Sequence, residues 1–317
     1  MSVSTIAVAT PLQITTRPRR LRLRTWLASP TCAVSLLLLA GASLRLWMLA
    51  HGDPTLDSDE ATFGLMALHV QRGDWSVFMW GQPYMGTFET FIIAPFLAVF
   101  GSSAFALRLG PMLLGLAVIA TTYLLAARIY SRRIGVYSAA LLAVGSPFFV
   151  VHSLRAYGGY VETLLFGNLL LLLALPRTTT HVNRVGVAAL AGLIAGLALW
   201  TDLLAVPYLI VAGMLCWWLR RATLRSRGGA ALIVGVLAGA APAIFYNVAH
   251  GAPTLDSVLA LTVAGSHGRA TAASLVGLLP RNIWLEITVS FPILLGGFLG
   301  GTQGTGLTIA DYLQQAA

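Results

Sequence analysis

The chain has 317 residues, of which 57% are hydrophobic and 10% charged, with a mean hydropathy of +0.80. A soluble domain carries about 25% charged residues, so this composition excludes one and describes an integral membrane protein. The net charge of +9 comes from 20 basic residues, every one of them Arg, and they gather on one side of the apolar blocks. That pattern reads as an orientation signal facing anionic lipid and not as a nucleic-acid footprint, so no nucleic-acid partner is expected.

Strand-like alternation is absent, so the spans are predicted helices and the fold class all-α, a polytopic transmembrane helical bundle. Residues 1–30 form an Arg-rich tail with Arg17, Arg19, Arg20, Arg22 and Arg24. They are too long for the charged region of a signal peptide, so the first apolar run, Thr31 to Leu49, is predicted to be an uncleaved first span. An outer segment, 50–105, follows. Within it Phe63, Met66, Ala67 and Val70 recur at helical spacing and predict a short helix over Ala61–Gln71. Thr87–Phe100 is apolar but only about 21 Å long as a helix, too short to cross comfortably. It is predicted to lie along the outer interface. Further spans are predicted at Ala106–Ala127, Ile134–Val151, Tyr160–Pro176, Val185–Trp200, Leu203–Leu219, Gly228–Ala249 and Ile283–Gly300, eight in all, with a second outer segment at 250–282. A transmembrane module over 31–300 is thus flanked by cytoplasmic tails at 1–30 and 301–317.

With this assignment ten of the eleven acidic residues lie outside and only Asp311 inside, whereas fourteen Arg lie inside. The positive-inside rule then fixes a cytoplasmic N-terminus. The two cysteines, Cys32 and Cys216, fall near inner span ends, and no structural disulfide is expected.

Asp57, Asp59 and Glu60 cluster just beyond the outer end of the first span. Clustered carboxylates at a membrane boundary repel one another and shift one another's pKa. They fit a general base or a ligand for a metal or cationic substrate; the alternative is a solvated acidic loop. Glu162, at the outer start of span four, either faces a polar cavity or snorkels outward. Arg45, Arg108, Arg155, Arg269 and Arg281 break the inside bias; each is a phosphate-binding candidate or a snorkelled or paired Arg. His51, His69, His152, His250 and His267 have no metal-ligand spacing and read as interfacial. Trp75, Phe78, Trp80 and Tyr84 read as an interfacial belt in preference to a sugar-stacking surface. Asp202 reads as a helix N-cap in preference to a cavity wall.

The order of motifs in the first outer segment resembles family 39 glycosyltransferases, the bacterial relatives of protein O-mannosyltransferases and of the lipid A aminoarabinose transferase. The motifs are Asp59-Glu60, a short helix, Gly73-Asp74-Trp75, Gly81-Gln82-Pro83-Tyr84, the helix Thr87–Phe100 and Arg108-Leu109. Glu162 matches a second acid in the next outer loop. Arg155 lies seven residues upstream of it, further than the family spacing. The resemblance covers about residues 28–300. Family members continue with more spans, so the chain is expected to be a fragment, a C-terminally truncated product or a short variant.

The resemblance implies the C-type glycosyltransferase fold and an active site on the extracytoplasmic face of the plasma membrane. It implies a polyprenyl-phosphate-linked sugar donor held in membrane lipid, an extracytoplasmic acceptor and inversion at the anomeric centre. A glycolipid, a cell-wall glycan and a protein all fit the acceptor's place. Asp59, Glu60 and Glu162 are the implied catalytic acids, and Gln82, Tyr84, Arg108, Arg155 and Arg269 the substrate-binding residues. No cofactor is assigned, and a divalent metal ion is the one candidate. The alternatives are a transporter or lipid flippase, and a non-catalytic relative of the same fold.

Overall fold

The computed structural model describes residues 30–52, 54–176 and 184–264, with residues 280, 283–285 and 287–288 beyond them. The predicted tails and nearly all of the eighth span lie outside the described residues. The fold is a helical bundle carrying one small hairpin. In chain order the elements are α1 (Pro30–His51), α2 (Ser58–Gln71), β1 (Phe78–Met79), β2 (Gln82–Gly86), α3 (Phe88–Phe100) and α4 (Ala104–Ile129). Then come α5 (Arg132–Val144), α6 (Pro147–His152), α7 (Tyr160–Ala174), α8 (Arg184–Thr201), a 3-10 turn (Leu203–Ala205), α9 (Val206–Leu224), α10 (Arg227–His250) and α11 (Pro253–Ala264).

Among the described residues, four helical stretches are long and apolar enough to cross a membrane: Thr31–His51, Ala104–Ile129, Leu203–Leu224 and Arg227–His250. The shorter apolar helices include Phe88–Phe100, Tyr160–Ala174 and Val185–Thr201. Capping side chains set several starts. Ser103, Ser131 and Ser146 accept from the amides of Ala106, Ile134 and Phe149, each satisfying a donor that a first turn leaves open.

One predicted span is corrected. Ile134–Val151 is not a single helix, because α5 ends at Val144 and α6 restarts at Pro147. Gly145 has φ +74, a left-handed value glycine adopts without steric cost, and Pro147 cannot donate back into α5. The break leaves carbonyls at the end of α5 without helical partners, and Arg45 takes them. Arg45 is fully buried. Its Nη1 donates to Ala143 O at 2.9 Å and to Gly41 O at 3.3 Å, and its Nη2 to Leu142 O at 3.4 Å. Its Nε donates to Ser153 Oγ at 3.1 Å, tying α1 to the end of α6. Arg45 is therefore a paired structural Arg and not a phosphate ligand.

Helices α8 and α10 make the most extensive contact in the bundle. Its basis is two facing pairs of glycines, Gly192 with Gly196 and Gly235 with Gly239. A Cβ on Gly192 would lie 2.1 Å from Leu232 O, and one on Gly235 would lie 2.3 Å from Ala189 O. The backbones approach too closely for any side chain, which is the small-residue packing membrane helices use in place of a hydrophobic driving force. On the other side of α8, Phe166, Leu170 and Leu173 of α7 complete an apolar core with Ile194 and Ala198.

The hairpin was not foreseen from sequence. Gly81, at φ +82, turns the chain between β1 and β2, and the strands pair Phe78 with Gly86 and Met79 with Gln82. Trp200 Nε1 donates to Val77 O at 2.9 Å, and a Cβ on Gly86 would strike Trp200 O at 2.2 Å. The hairpin is thus seated on the end of α8. α11, inside the second outer segment, also rests on β2, through Thr254 Oγ1 donating to Pro83 O.

Candidate active site

The three acids of the first outer segment have three different environments. Asp57 precedes α2 and caps it, its Oδ1 accepting from the amides of Asp59 at 3.0 Å and Glu60 at 2.9 Å. Burial pulls the Asp57 carboxyl upward, but the Glu60 amide, the Tyr157 hydroxyl, Arg155 and the Asp59 amide together hold it below its usual value. Glu60 is fully buried. Arg108 grips it in fork geometry, Nε to Oε1 at 2.8 Å and Nη2 to Oε2 at 2.9 Å, and Arg155 Nη1 adds a third contact to Oε2 at 2.9 Å. Arg155 Nη1 also lies 3.5 Å from Asp57 Oδ2, and Arg108 Nη2 donates to Thr55 O at 2.7 Å. Both oxygens of Glu60 are therefore engaged by guanidinium groups, which locks α2 to α4 and to the loop before α7.

Asp59 sits between these two residues in the first turn of α2 and lines a cavity of about 790 Å³. Gln82 and Tyr84 line it from β2, His152 from α6, Tyr157 from the loop before α7 and Tyr160 from its first turn. Asp202 and Leu203 line it from the turn after α8, and Val258 from α11. The volume suits a small polar ligand such as a sugar. Of the predicted site residues, Asp59, Gln82 and Tyr84 meet in this cavity. Glu60, Arg108 and Arg155 form the ion-paired network beside Asp59, where both Arg have protein partners. Arg269 lies outside the described residues.

Glu162 is buried at the start of α7 and is not among the residues lining the cavity. Its Oε1 has no hydrogen-bond partner. Close to it are Glu89, from the first turn of α3, and Asp202. Glu89 Oε2 accepts from the Gly158 amide at 2.9 Å. Burial, and then the neighbouring Glu162 carboxyl, push the Glu89 carboxyl well above the usual range despite that bond. Glycines make the approach possible. Gly158 and Gly159 have φ +64 and +76, and a Cβ at either position would clash, with Phe63 at 2.2 Å or with Asp202 Oδ2 at 2.5 Å.

Several of these residues carry little signal in the sequence. Glu89 had a signal, an acid in the first turn of an otherwise apolar helix, but no indication of its partners. His152 read as interfacial; here its Nδ1 bonds Phe148 O at 2.8 Å and its ring packs edge-on to Tyr157 and Tyr160. Tyr157 donates to Asp57, and burial together with that bond pushes its hydroxyl up to about 12. Asp202 does both things weighed for it: Oδ1 accepts from Leu204 N at 2.7 Å, and the residue lines the cavity. The four aromatics of the expected belt divide. Trp75 and Trp80 are exposed, Phe78 is buried against Tyr246, and Tyr84 is in the cavity.

Among the described residues no three His, Cys, Asp or Glu side chains group to hold a metal ion.

Neither a curated protein nor a solved structure matches the chain. The family model described as dolichyl-phosphate-mannose-protein mannosyltransferase matches residues 83–248, just over half of its length. That stretch runs from the hairpin's second strand through α10 and includes most of the cavity wall. A helical membrane bundle, a cavity lined by Asp59 and Asp202 and this match together place the chain in the dolichyl-phosphate-mannose-protein mannosyltransferase family, a family of membrane glycosyltransferases of the C-type fold.

Proposed function

We propose that the chain transfers a sugar from a polyprenyl-phosphate-linked donor to an acceptor hydroxyl at the extracytoplasmic face of the plasma membrane, with inversion. The observation that carries this reading is the separation of the three acids. Asp57 is a helix cap and Glu60 is consumed by Arg108 and Arg155, so Asp59 is the acid of α2 left facing a sugar-sized cavity. The family match begins at Pro83, so the role of Asp59 rests on this geometry and on the sequence motif around it.

In the reaction the Asp59 carboxylate removes the proton of the acceptor hydroxyl as that oxygen attacks the anomeric carbon. The bond from that carbon to the phosphate oxygen breaks on the opposite face, and the polyprenyl phosphate leaves with the electron pair. A positioned base of this kind contributes roughly 10²- to 10⁴-fold. Arg155, with 28% of its side chain exposed, is the cation we assign to the leaving phosphate. The charge segregation along the sequence supports a cytoplasmic N-terminus and, with it, a cavity on the outer side. The family match lends no support to the transporter or flippase alternative.

The test is complementation of a strain lacking the gene, read by glycolipid and glycoprotein profiling. The parent gene restores the missing glycoconjugate, and Asp59→Asn, inserted at normal levels, restores on the order of a hundredth of it or less, as expected for loss of a positioned base. Full restoration by Asp59→Asn overturns the assignment of the base.

A further inference from the structure

The cavity contains a second carboxylate that proton transfer by Asp59 does not use. Asp202 lines the same cavity and is only 7% exposed. Its Oδ1 caps the 3-10 turn by accepting from Leu204 N at 2.7 Å. Its Oδ2 has no hydrogen-bond partner among the described residues. That oxygen lies in the space a side chain at position 159 would need, 2.5 Å from where a Cβ would stand, and Gly159 leaves the space open. Asp202 therefore spends one carboxyl oxygen on the cap and keeps the other to accept a hydrogen bond from a ligand in the cavity it lines.

The rest of the lining narrows what that ligand is. Gln82, Tyr84, His152, Tyr157 and Tyr160 offer amide, phenol and imidazole groups, and among the described residues no Arg lines the cavity. In the proposed reaction the donor phosphate belongs with Arg155, outside this lining, so the lining itself meets the ring. A neutral ring bearing hydroxyl groups suits these polar side chains, and Met85, Leu203, Leu204 and Val258 offer its carbon face apolar contact.

We propose that Asp202 Oδ2 accepts a hydrogen bond from a ring hydroxyl of the sugar bound in this cavity, and that Asp202 is a specificity-determining residue. The proposal rests on the glycosyl-transfer reading. It holds whether the ring is the transferred sugar or the acceptor, since both present the same hydroxyl chemistry.

Asp202→Asn separates this role from capping, because Asn serves at an N-cap as well as Asp and has nearly the same volume. It retains Oδ1 and exchanges the second oxygen for an NH2 donor. The purified full chain in lipid nanodiscs is titrated with polyprenyl-phosphate mannose, glucose, galactose and arabinose. The tightest of these is then compared with its monodeoxy analogues, and the same series is run as methyl glycosides. In the parent protein, removing one particular hydroxyl weakens binding roughly 10- to 100-fold, as expected for a hydrogen bond to a charged group. In Asp202→Asn that penalty falls below about threefold, while melting temperature and the penalties at other ring positions stay as they were. A penalty confined to the polyprenyl-phosphate series assigns the hydroxyl to the donor, and one confined to the methyl glycosides assigns it to the acceptor. Should Asp202→Asn fold poorly, Asp202→Ser, which keeps a capping oxygen and lacks the second, takes its place. If both variants keep the parent's full set of penalties, Asp202 is a cap alone and the proposal is overturned. If the parent protein binds no member of either series, the glycosyl-transfer reading falls and this inference with it.

Discussion

Glu60 and Asp59 are adjacent in sequence, and the structure predicts that they fail in opposite ways. Glu60→Gln keeps the shape of the side chain and removes its charge. The Arg108 side chain, 7% exposed, then keeps a full charge beside a neutral amide. Removing one partner of a buried ion pair costs about 3–5 kcal/mol, mostly because the other charge stays buried. Two features argue for the lower end. Arg155 is 28% exposed and can turn toward water, and Thr55 O still holds Arg108 Nη2. The expected loss is about 3 kcal/mol, which at roughly 2–4 °C per kcal/mol for a chain of this size is a fall of about 6–12 °C in melting temperature. Asp59 has no ion pair among the described residues, and Asp59→Asn should leave the melting temperature within about 2 °C while transfer is lost. The assay is thermal unfolding of both variants and the parent in one detergent at pH 7, followed by size-exclusion fluorescence. If Glu60→Gln melts with the parent, or if Asp59→Asn falls as far as Glu60→Gln, the division between a supporting acid and a reacting acid is wrong.

Gly235→Val would drive methyls into the backbone of α8, where Ala189 O and Leu193 N already lie within 2.8 Å of the place a Cβ would occupy. Overpacking of this kind costs about 1–3 kcal/mol where neighbours can adjust; backbone atoms cannot, so the variant should lose monodisperse protein on size exclusion, whereas Gly213→Val, at a glycine with open space around it, should not. Arg45→Met keeps the length of the side chain but strands the Leu142 and Ala143 carbonyls, at about 1–3 kcal/mol for each group left bare; a measurable drop in melting temperature is expected, and a parent-like melt would show that the break in the span needs no clamp.

Most of the helices were legible because their signal is local. Apolar runs end at Ser caps, at glycine or at Arg clusters, so the boundaries of α4, α8 and α10 fell within a few residues of those expected. The exceptions have non-local causes. The span over Ile134–Val151 has the hydropathy of one helix, and its interruption at Gly145 is stable because Arg45, about a hundred residues earlier, supplies donors to the exposed carbonyls. The hairpin at residues 78–86 has too few alternating positions to register as strands, and it is held by Trp200 and Thr254 from distant helices.

The site follows the same division. Sequence and motif drew attention to Asp59 and Glu60 together, since a pair of adjacent acids carries no information about which one faces a cavity. In a helix, neighbours point about 100° apart. One of the two must therefore turn toward α4 and the loop before α7, and Arg108 and Arg155 decide that it is Glu60. The cation count could have hinted at this: two outer Arg on the elements flanking the acids are as readily explained by a buried carboxylate as by a phosphate. His152 and Tyr157 had no comparable signal, and Asp202 read first as a cap. Each is unremarkable in its own segment and becomes part of the site only because the paired glycines at 158 and 159 let the start of α7 close against α2 and the turn after α8. The chemistry of the cavity is thus set by backbone positions that carry no side chain, and a Gly159→Ala change, which fills the space beside Asp202 Oδ2, should disturb substrate discrimination before it disturbs Asp59.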